Sequence, residues 1–216
     1  VPDRPVYLTA ADGHNAWVNS KALALAGITA ATPDPLSGRI ERDAATGEPS
    51  GCLRENAKVL VSRLLPETTQ AERAEGLART VELAHRAGLV GLFDASVDPI
   101  ELEVYRDVDR AGKLDLHVGI AMYVDPEKPF APQLAEILAL RARDWGPHVH
   151  LRSAKLFADG VIESGTAALL APYLGRGDDR GGLEWDEAKL AEAVVALDRA
   201  GLQIHVHAIG DRAIRV

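Results

Sequence analysis

The chain has 216 residues, 47% of them hydrophobic and 26% charged, with a formal charge of -8. That composition excludes a largely disordered or collagen-like chain, and the acidic balance argues against nucleic acid as a partner. The one cysteine, Cys52, excludes an intramolecular disulfide and fits a reducing, cytoplasmic compartment. No apolar run approaches the ~18 residues a membrane span needs, so no membrane partner is expected.

The first 66 residues read as an inserted cap region: helix, β-hairpin, helix. Residues 15–26 place Val18, Ala22 and Leu25 at helical spacing, and Gly27 can end that helix. Residues 32–37 are turn-like. Residues 39–42 and 51–54 flank Thr46-Gly47-Glu48-Pro49 and predict the hairpin. Residues 55–65 predict a helix stopped by Pro66.

From residue 67 to 216 helices and β-runs alternate. Thr69 and Glu72 make a capping box, and the helix runs to about Ala87. Residues 89–94 predict a strand, and Asp98-Pro99 opens the next helix. A strand over 114–124, a helix over 132–144 and a strand over 149–156 follow. After a long loop to Gly182 come a helix over 186–200, a strand over 202–208 and the start of a helix at Asp211. The phrase Arg-Ala-Gly recurs at Arg86, Arg110 and Arg199, each time between a helical pattern and a β-run. Four β-runs separated by helices predict an α/β fold with a parallel sheet.

The chemistry-bearing residues cluster late in the predicted strands. His205 and His207 are two apart, so their side chains share a strand face, at the end where α/β proteins place their sites. Two imidazoles there can hold a divalent metal, or one of them can be a packed histidine. His148 and His150 have the same spacing but lie at the start of a strand, where a structural role is expected. Alternation puts them on the face opposite Ser153 and Lys155, unless a bulge intervenes.

Lys155 stands in an otherwise apolar strand, where burying an ammonium group is costly. A salt bridge to Asp159 or Glu163 would compensate it. So would a lowered pKa, which frees the amine either to form a Schiff base or to take up carbon dioxide as a carbamate ligand. The loop after it, residues 157–182, is long enough to be functional and carries Asp159-Gly160 and Glu163-Ser164-Gly165-Thr166. Asp94 also ends a predicted strand, where it can face the same pocket or cap the next turn. Asp211 can cap a helix or partner an imidazole. No phosphate loop, GxGxxG, paired CxxC or serine elbow is present.

Three phrases read together. They are Asp12-Gly13-His14-Asn15-Ala16-Trp17-Val18-Asn19-Ser20-Lys21-Ala22-Leu23, Lys155-Leu156-Phe157-Ala158-Asp159-Gly160 with Ser164-Gly165-Thr166-Ala167, and His205-Val206-His207-Ala208-Ile209-Gly210-Asp211-Arg212-Ala213. In this order, over essentially the whole chain, they resemble the YtcJ-like branch of the amidohydrolase superfamily, which includes N-substituted formamide deformylases. The resemblance implies a metal-dependent hydrolase on a TIM (β/α)8 barrel, acting on non-peptide C–N bonds of a small-molecule amide by metal-activated hydroxide.

The four β-runs would then be about strands two to five of that barrel. Lys155, carboxylated, and His207 would be metal ligands, with His205 a further candidate, for one or two divalent ions such as zinc. His14, Asp94 and Asp159 would border the substrate pocket. The resemblance also implies a first-strand HxH, a sixth-strand histidine and an eighth-strand aspartate that serves as acid and base. These do not stand in this sequence, so the chain reads as the middle of a longer enzyme, inactive alone. Its four strands would remain an open sheet, or two chains would associate edge to edge as a homodimer. The rival readings are a Schiff-base lyase using Lys155 and a non-catalytic α/β scaffold.

Overall fold

A computed structural model of the chain describes residues 3–11, 13–36 and 38–216. Asp12 and Ser37, named in the motif and the turn above, lie outside the described residues. The described residues divide into two compact units. One takes the stretch through Pro66, Asp159–Glu184 and Ala208–Val216; the other takes Glu67–Ala158 and Trp185–His207.

The first unit holds an antiparallel sheet of β1 (Tyr7–Thr9), β2 (Asn15–Val18), β3 (Gly38–Arg42) and β4 (Pro49–Glu55), in the order β1-β2-β4-β3. The predicted hairpin is β3–β4. The helix predicted over 15–26 is shorter: α1 is Ser20–Ala26, and Asn15–Val18 is strand. Asn19 is the reason. Its side chain accepts the Ala22 N–H at 3.1 Å and the Val6 N–H at 3.0 Å, which caps the helix and pins the chain before it as strand. Val18 is buried from the strand, while Leu25 is exposed.

Residues 55–65 form only a 3₁₀ turn, Asn56–Lys58, and the one-turn helix α2, Val59–Ser62. Glu55 enters that turn at φ 45°, a backbone conformation no helix continues through. Val18, Leu23, Ile28, Ile40, Leu53 and Val61 make the unit's core.

The second unit is a parallel sheet with its helices. α3 (Gln70–Arg86) starts at the Thr69–Glu72 capping box, and β5 (Gly91–Val97) follows. α4 (Pro99–Arg110) starts at a second capping box, Asp98 with Glu101, before β6 (His117–Tyr123). α5 (Phe130–Arg141), β7 (Val149–Phe157), α6 (Glu187–Arg199) and β8 (Gln203–His207) complete it, in the order β5-β6-β7-β8. Val118, Ile120, Met122, Ala154 and Leu156 are essentially buried on the helix-covered face. The last helix, α7 (Asp211–Arg215), belongs to the first unit.

The register of β6 and β7 reassigns the faces of the sheet. Ile120 pairs with Leu151, but the next residue, Ala121, pairs with Ser153. Arg152 is therefore an extra residue, a bulge that reverses the alternation. The expected separation of His150 from Lys155 does not hold. His150 pairs with Gly119 and Lys155 with Tyr123, and these partners are four apart on one strand, so both side chains lie on one face. His117, His205 and His207 share this open face by the same registers. Phe93 crosses it. Gly119 lets it do so, since a Cβ there would come within 2.7 Å of the Phe93 ring, and the ring stacks on His205 at 5.5 Å with two strands between.

Candidate functional site at the C-terminal ends of the parallel strands

Lys155 lies near the C-terminal end of β7, with Tyr123 of β6 and His205 of β8 as its register partners. Its residue is 6% exposed. Within its own unit no carboxylate of the described residues lies within 4.0 Å of its ammonium group. Its nearest charge-compensating feature is the Phe157 ring, with the Nζ 4.4 Å from the ring centre. Burial pulls the amine below its ordinary pKa.

His205 stands directly beside Lys155. Burial, and then the neighbouring Lys155 charge, lower its pKa. His207 lies two register pairs further along, opposite Phe157, with ring centres 5.3 Å apart. Its carbonyl accepts the Ala158 N–H at 2.8 Å, which extends the β7–β8 pairing past the strand ends. Tyr123 meets Phe157 edge-on at 5.9 Å. The open face thus presents one amine and two imidazoles among three aromatic rings.

Those donors fit part of a metal's ligand set. The amine can ligate only when neutral or carboxylated, and the lowered pKa favours that state. Among the described residues no three His, Cys, Asp or Glu side chains are arranged to hold an ion, so further ligands would have to join Lys155, His205 and His207.

The expected pocket carboxylates take other work. Asp94 is on the helix side of β5, because Phe93 is on the open face and neighbours alternate. Its carboxylate accepts the Tyr105 hydroxyl at 2.7 Å. Burial and that carboxylate push the Tyr105 hydroxyl well above its usual pKa. Asp159 is 1% exposed, and its carboxylate accepts three backbone N–H groups: Ala168 at 2.8 Å, Gly210 at 2.8 Å and Ile209 at 2.9 Å. It ties together the two loops that follow β7 and β8. Gly210 must lack a side chain there, since a Cβ would lie 1.9 Å from the Ala168 carbonyl oxygen. Asp211 adds a fourth tie, accepting the Leu170 N–H at 2.8 Å.

His14 sits in the first unit against Glu55, its Nδ1 3.0 and 3.1 Å from the two carboxylate oxygens. The same carboxylate accepts Ser164 Oγ at 3.0 Å and Thr166 Oγ1 at 2.9 Å. Glu55 was not legible as the hub of this network. Its strained φ and its partners more than a hundred residues away leave no local pattern.

His148 and His150 belong to the other end of the sheet. His150 shares a hydrogen bond with His117, and His148 is held by buried Asp109 through Nδ1 at 2.8 Å. Burial, then the positive potential of His117, Arg152 and His148, lowers the His150 pKa.

Comparison with known proteins places the chain in a family. The family model described as "Amidohydrolase family" matches residues 1–216, and the chain belongs to this family. It is 30% identical to Protein LONG AFTER FAR-RED 3 of Arabidopsis thaliana over 98% of the chain and 37% of that protein. It is 30% identical to YtcJ of Bacillus subtilis (98% and 39%), and 29% identical to the N-substituted formamide deformylase of Arthrobacter pascens (100% and 40%). A crystal structure of a metal-dependent hydrolase from Pyrococcus horikoshii matches 99% of the chain and 41% of its own length, with TM-score 0.69 and 25% identity. The chain thus spans about two fifths of the length of the relatives it matches. Among the described residues no helix is long and apolar enough to cross a membrane.

Proposed function

We propose that this chain is the central part of a metal-dependent amidohydrolase that cleaves C–N bonds of small amides, with β5–β8 standing as about strands two to five of a (β/α)8 barrel. One observation carries the reading. A buried lysine with no carboxylate partner in its own unit lies on the same open face as two histidines, at the carboxyl ends of parallel strands. In a barrel this is the face and the end where catalytic groups gather.

Lys155 supplies the nucleophilic nitrogen of the site. Its ammonium group gives up one proton; the neutral amine then attacks carbon dioxide, forming an N–C bond, opening one C=O π bond and releasing a second proton, so that a cation becomes an anionic carbamate. The Phe157 ring lies against its Nζ. His205 and His207 offer imidazole nitrogens on the same face. An ion held there, such as zinc, would polarise water and the substrate carbonyl. The substrates are amides of the kind one relative's name specifies, N-substituted formamides among them.

The test is an assay with zinc and bicarbonate against N-substituted formamides and simple amides. This chain alone should turn over little or nothing, since its described residues lack a complete ligand set. The same segment within a chain of its relatives' length should be active and should lose at least a hundredfold in kcat with Lys155→Ala or His207→Ala. Robust turnover by this chain alone refutes the partial-site reading. Unchanged activity in the Lys155→Ala longer chain refutes the assignment of Lys155.

A further inference from the structure

The amino end of the open sheet face holds imidazoles that amide hydrolysis does not use. His117 opens β6, His150 lies on β7, and His148 immediately precedes β7. The His117 ring centre is 5.4 Å from that of His150 and 5.5 Å from that of His148. His117 Nδ1 and His150 Nε2 are 3.2 Å apart, a hydrogen bond between two side chains that can each become a cation. His117 is exposed and His150 half-buried, so both exchange protons with water.

We propose that the His117–His150 pair is an acid-sensitive latch between the first residues of β6 and β7, closed while at most one ring is charged and open when both are. In the neutral pair one of the two facing nitrogens carries a hydrogen and the other accepts it. A first added proton leaves that bond in place, because the donor ring can take it on the nitrogen that faces elsewhere. A second added proton has only the accepting nitrogen left to bind. N–H then faces N–H and two cations stand side by side, so the rings part. The latch sits where the ladder begins: Val118 pairs with Val149 and Gly119 with His150, and the Val118 N–H donates to the His148 carbonyl at 2.8 Å.

The surroundings oppose the second charge. Arg152 and His148, on and before β7, add positive potential at His150. The nearby carboxylates are engaged elsewhere. Asp109 of α4 holds His148, through Nδ1 at 2.8 Å and the backbone N–H at 3.2 Å. Asp115, just before β6, pairs with His85 of α3 at 3.4 Å. Asp94, the charged residue of β5, bonds Tyr105 on the helix side. Beyond β7, β8 brings uncharged Gln203 opposite Ser153. Burial, then these positive neighbours, holds the His150 pKa below its ordinary value of 6.5. A histidine lowered in the folded state binds fewer protons there than when unfolded. Its stability is therefore full above about pH 6.5 and falls as the pH drops from there toward the folded value.

Nothing in the latch depends on the amidohydrolase reading, and its test needs neither metal nor substrate. Ring protons of His117 and His150 are followed by NMR in the intact chain from about pH 8 to about pH 4.5. The pair should titrate in two steps at least about one pH unit apart. Protection of the Val118 amide against hydrogen exchange should fall at least about threefold across the lower step. In His117→Gln, His150 should titrate once, at a higher pH than that lower step, and the loss of stability between about pH 6.5 and about pH 5 should shrink. A single step shared by both rings, Val118 protection constant through the lower step, or a His150 midpoint in His117→Gln no higher than that step overturns the latch. If His117→Gln fails to fold, the two-step titration and the Val118 exchange of the unaltered chain decide.

Discussion

Asp159→Ala removes the acceptor of three backbone N–H groups, two buried and one half-buried, at one stroke. Asp159 Oδ2 serves Ala168 and Gly210, both at 2.8 Å, and Oδ1 serves Ile209 at 2.9 Å. Each donor left buried without a partner costs about 1–3 kcal/mol. Three summed independently would reach at most about 9 kcal/mol, but loop relaxation and entering water recover part of that, so a loss of about 3–5 kcal/mol is expected. That is a large share of a typical stability of about 5–15 kcal/mol.

Asp159→Asn separates the contributions. Its single carbonyl oxygen, placed at the Oδ2 position, keeps Ala168 and Gly210. Its amide then sets N–H against the N–H of Ile209, for a loss of about 1–3 kcal/mol. Urea denaturation measures the totals. Amide hydrogen exchange locates them: protection should fall at Ala168, Ile209 and Gly210 in the alanine variant, and chiefly at Ile209 in the asparagine variant. A loss below about 1 kcal/mol for Asp159→Ala, with protection of those three amides unchanged, refutes the clamp.

Three further outcomes are expected. Burial alone would raise the Glu41 pKa, but hydrogen bonds from Arg39 and Arg54 bring it below the ordinary value of about 4.5. A carboxylate depressed in the folded state adds stability above its unfolded pKa, and that stability is lost as pH falls through the lower folded value. Glu41→Gln should therefore flatten the stability profile below about pH 4.5 and leave the neutral-pH slope unchanged, as chemical denaturation across that range will show. Gly119→Ala would put a Cβ 2.7 Å from the Phe93 ring, which must swing away from His205. The loss should be about 1 kcal/mol, with a clear change in the His205 ring-proton shifts by NMR; unaltered shifts would contradict the packing. Because β5 and β8 are each paired on one side only, the chain should associate through those edges as concentration rises. Light scattering that shows a monomer throughout would rule this out.

Much of the second unit was legible because its signals are local. The capping boxes at Thr69 and Asp98, and the Arg-Ala-Gly phrases after each helix, fix helix ends within a few residues of chain. The apolar β-runs between them have no other packing available than a helix-covered sheet. The first unit was harder for the same reason in reverse. The spacing of Val18, Ala22 and Leu25 is helical, but the Asn19 side chain also bonds Val6, thirteen residues earlier, and no window over 15–26 contains that partner.

The site divides along the same line. The placement of Lys155 and the two histidines late in parallel strands was readable because the β-runs that carry them are bounded by local helix and turn signals. The jobs of Asp94 and Asp159 were not, because motif position says that a carboxylate is near a strand end and nothing about what donates to it. Asp94 met a tyrosine hydroxyl on α4, and Asp159 met amides on two loops. The bulge at Arg152 is the sharpest case. One residue unmatched in the ladder moved His150 to the face of Lys155, and with it joined three histidines that the sequence had no means of placing side by side. A single unpaired backbone position therefore decides which face of the sheet His150 occupies. Deleting Arg152 should return His150 to the helix side and part it from His117.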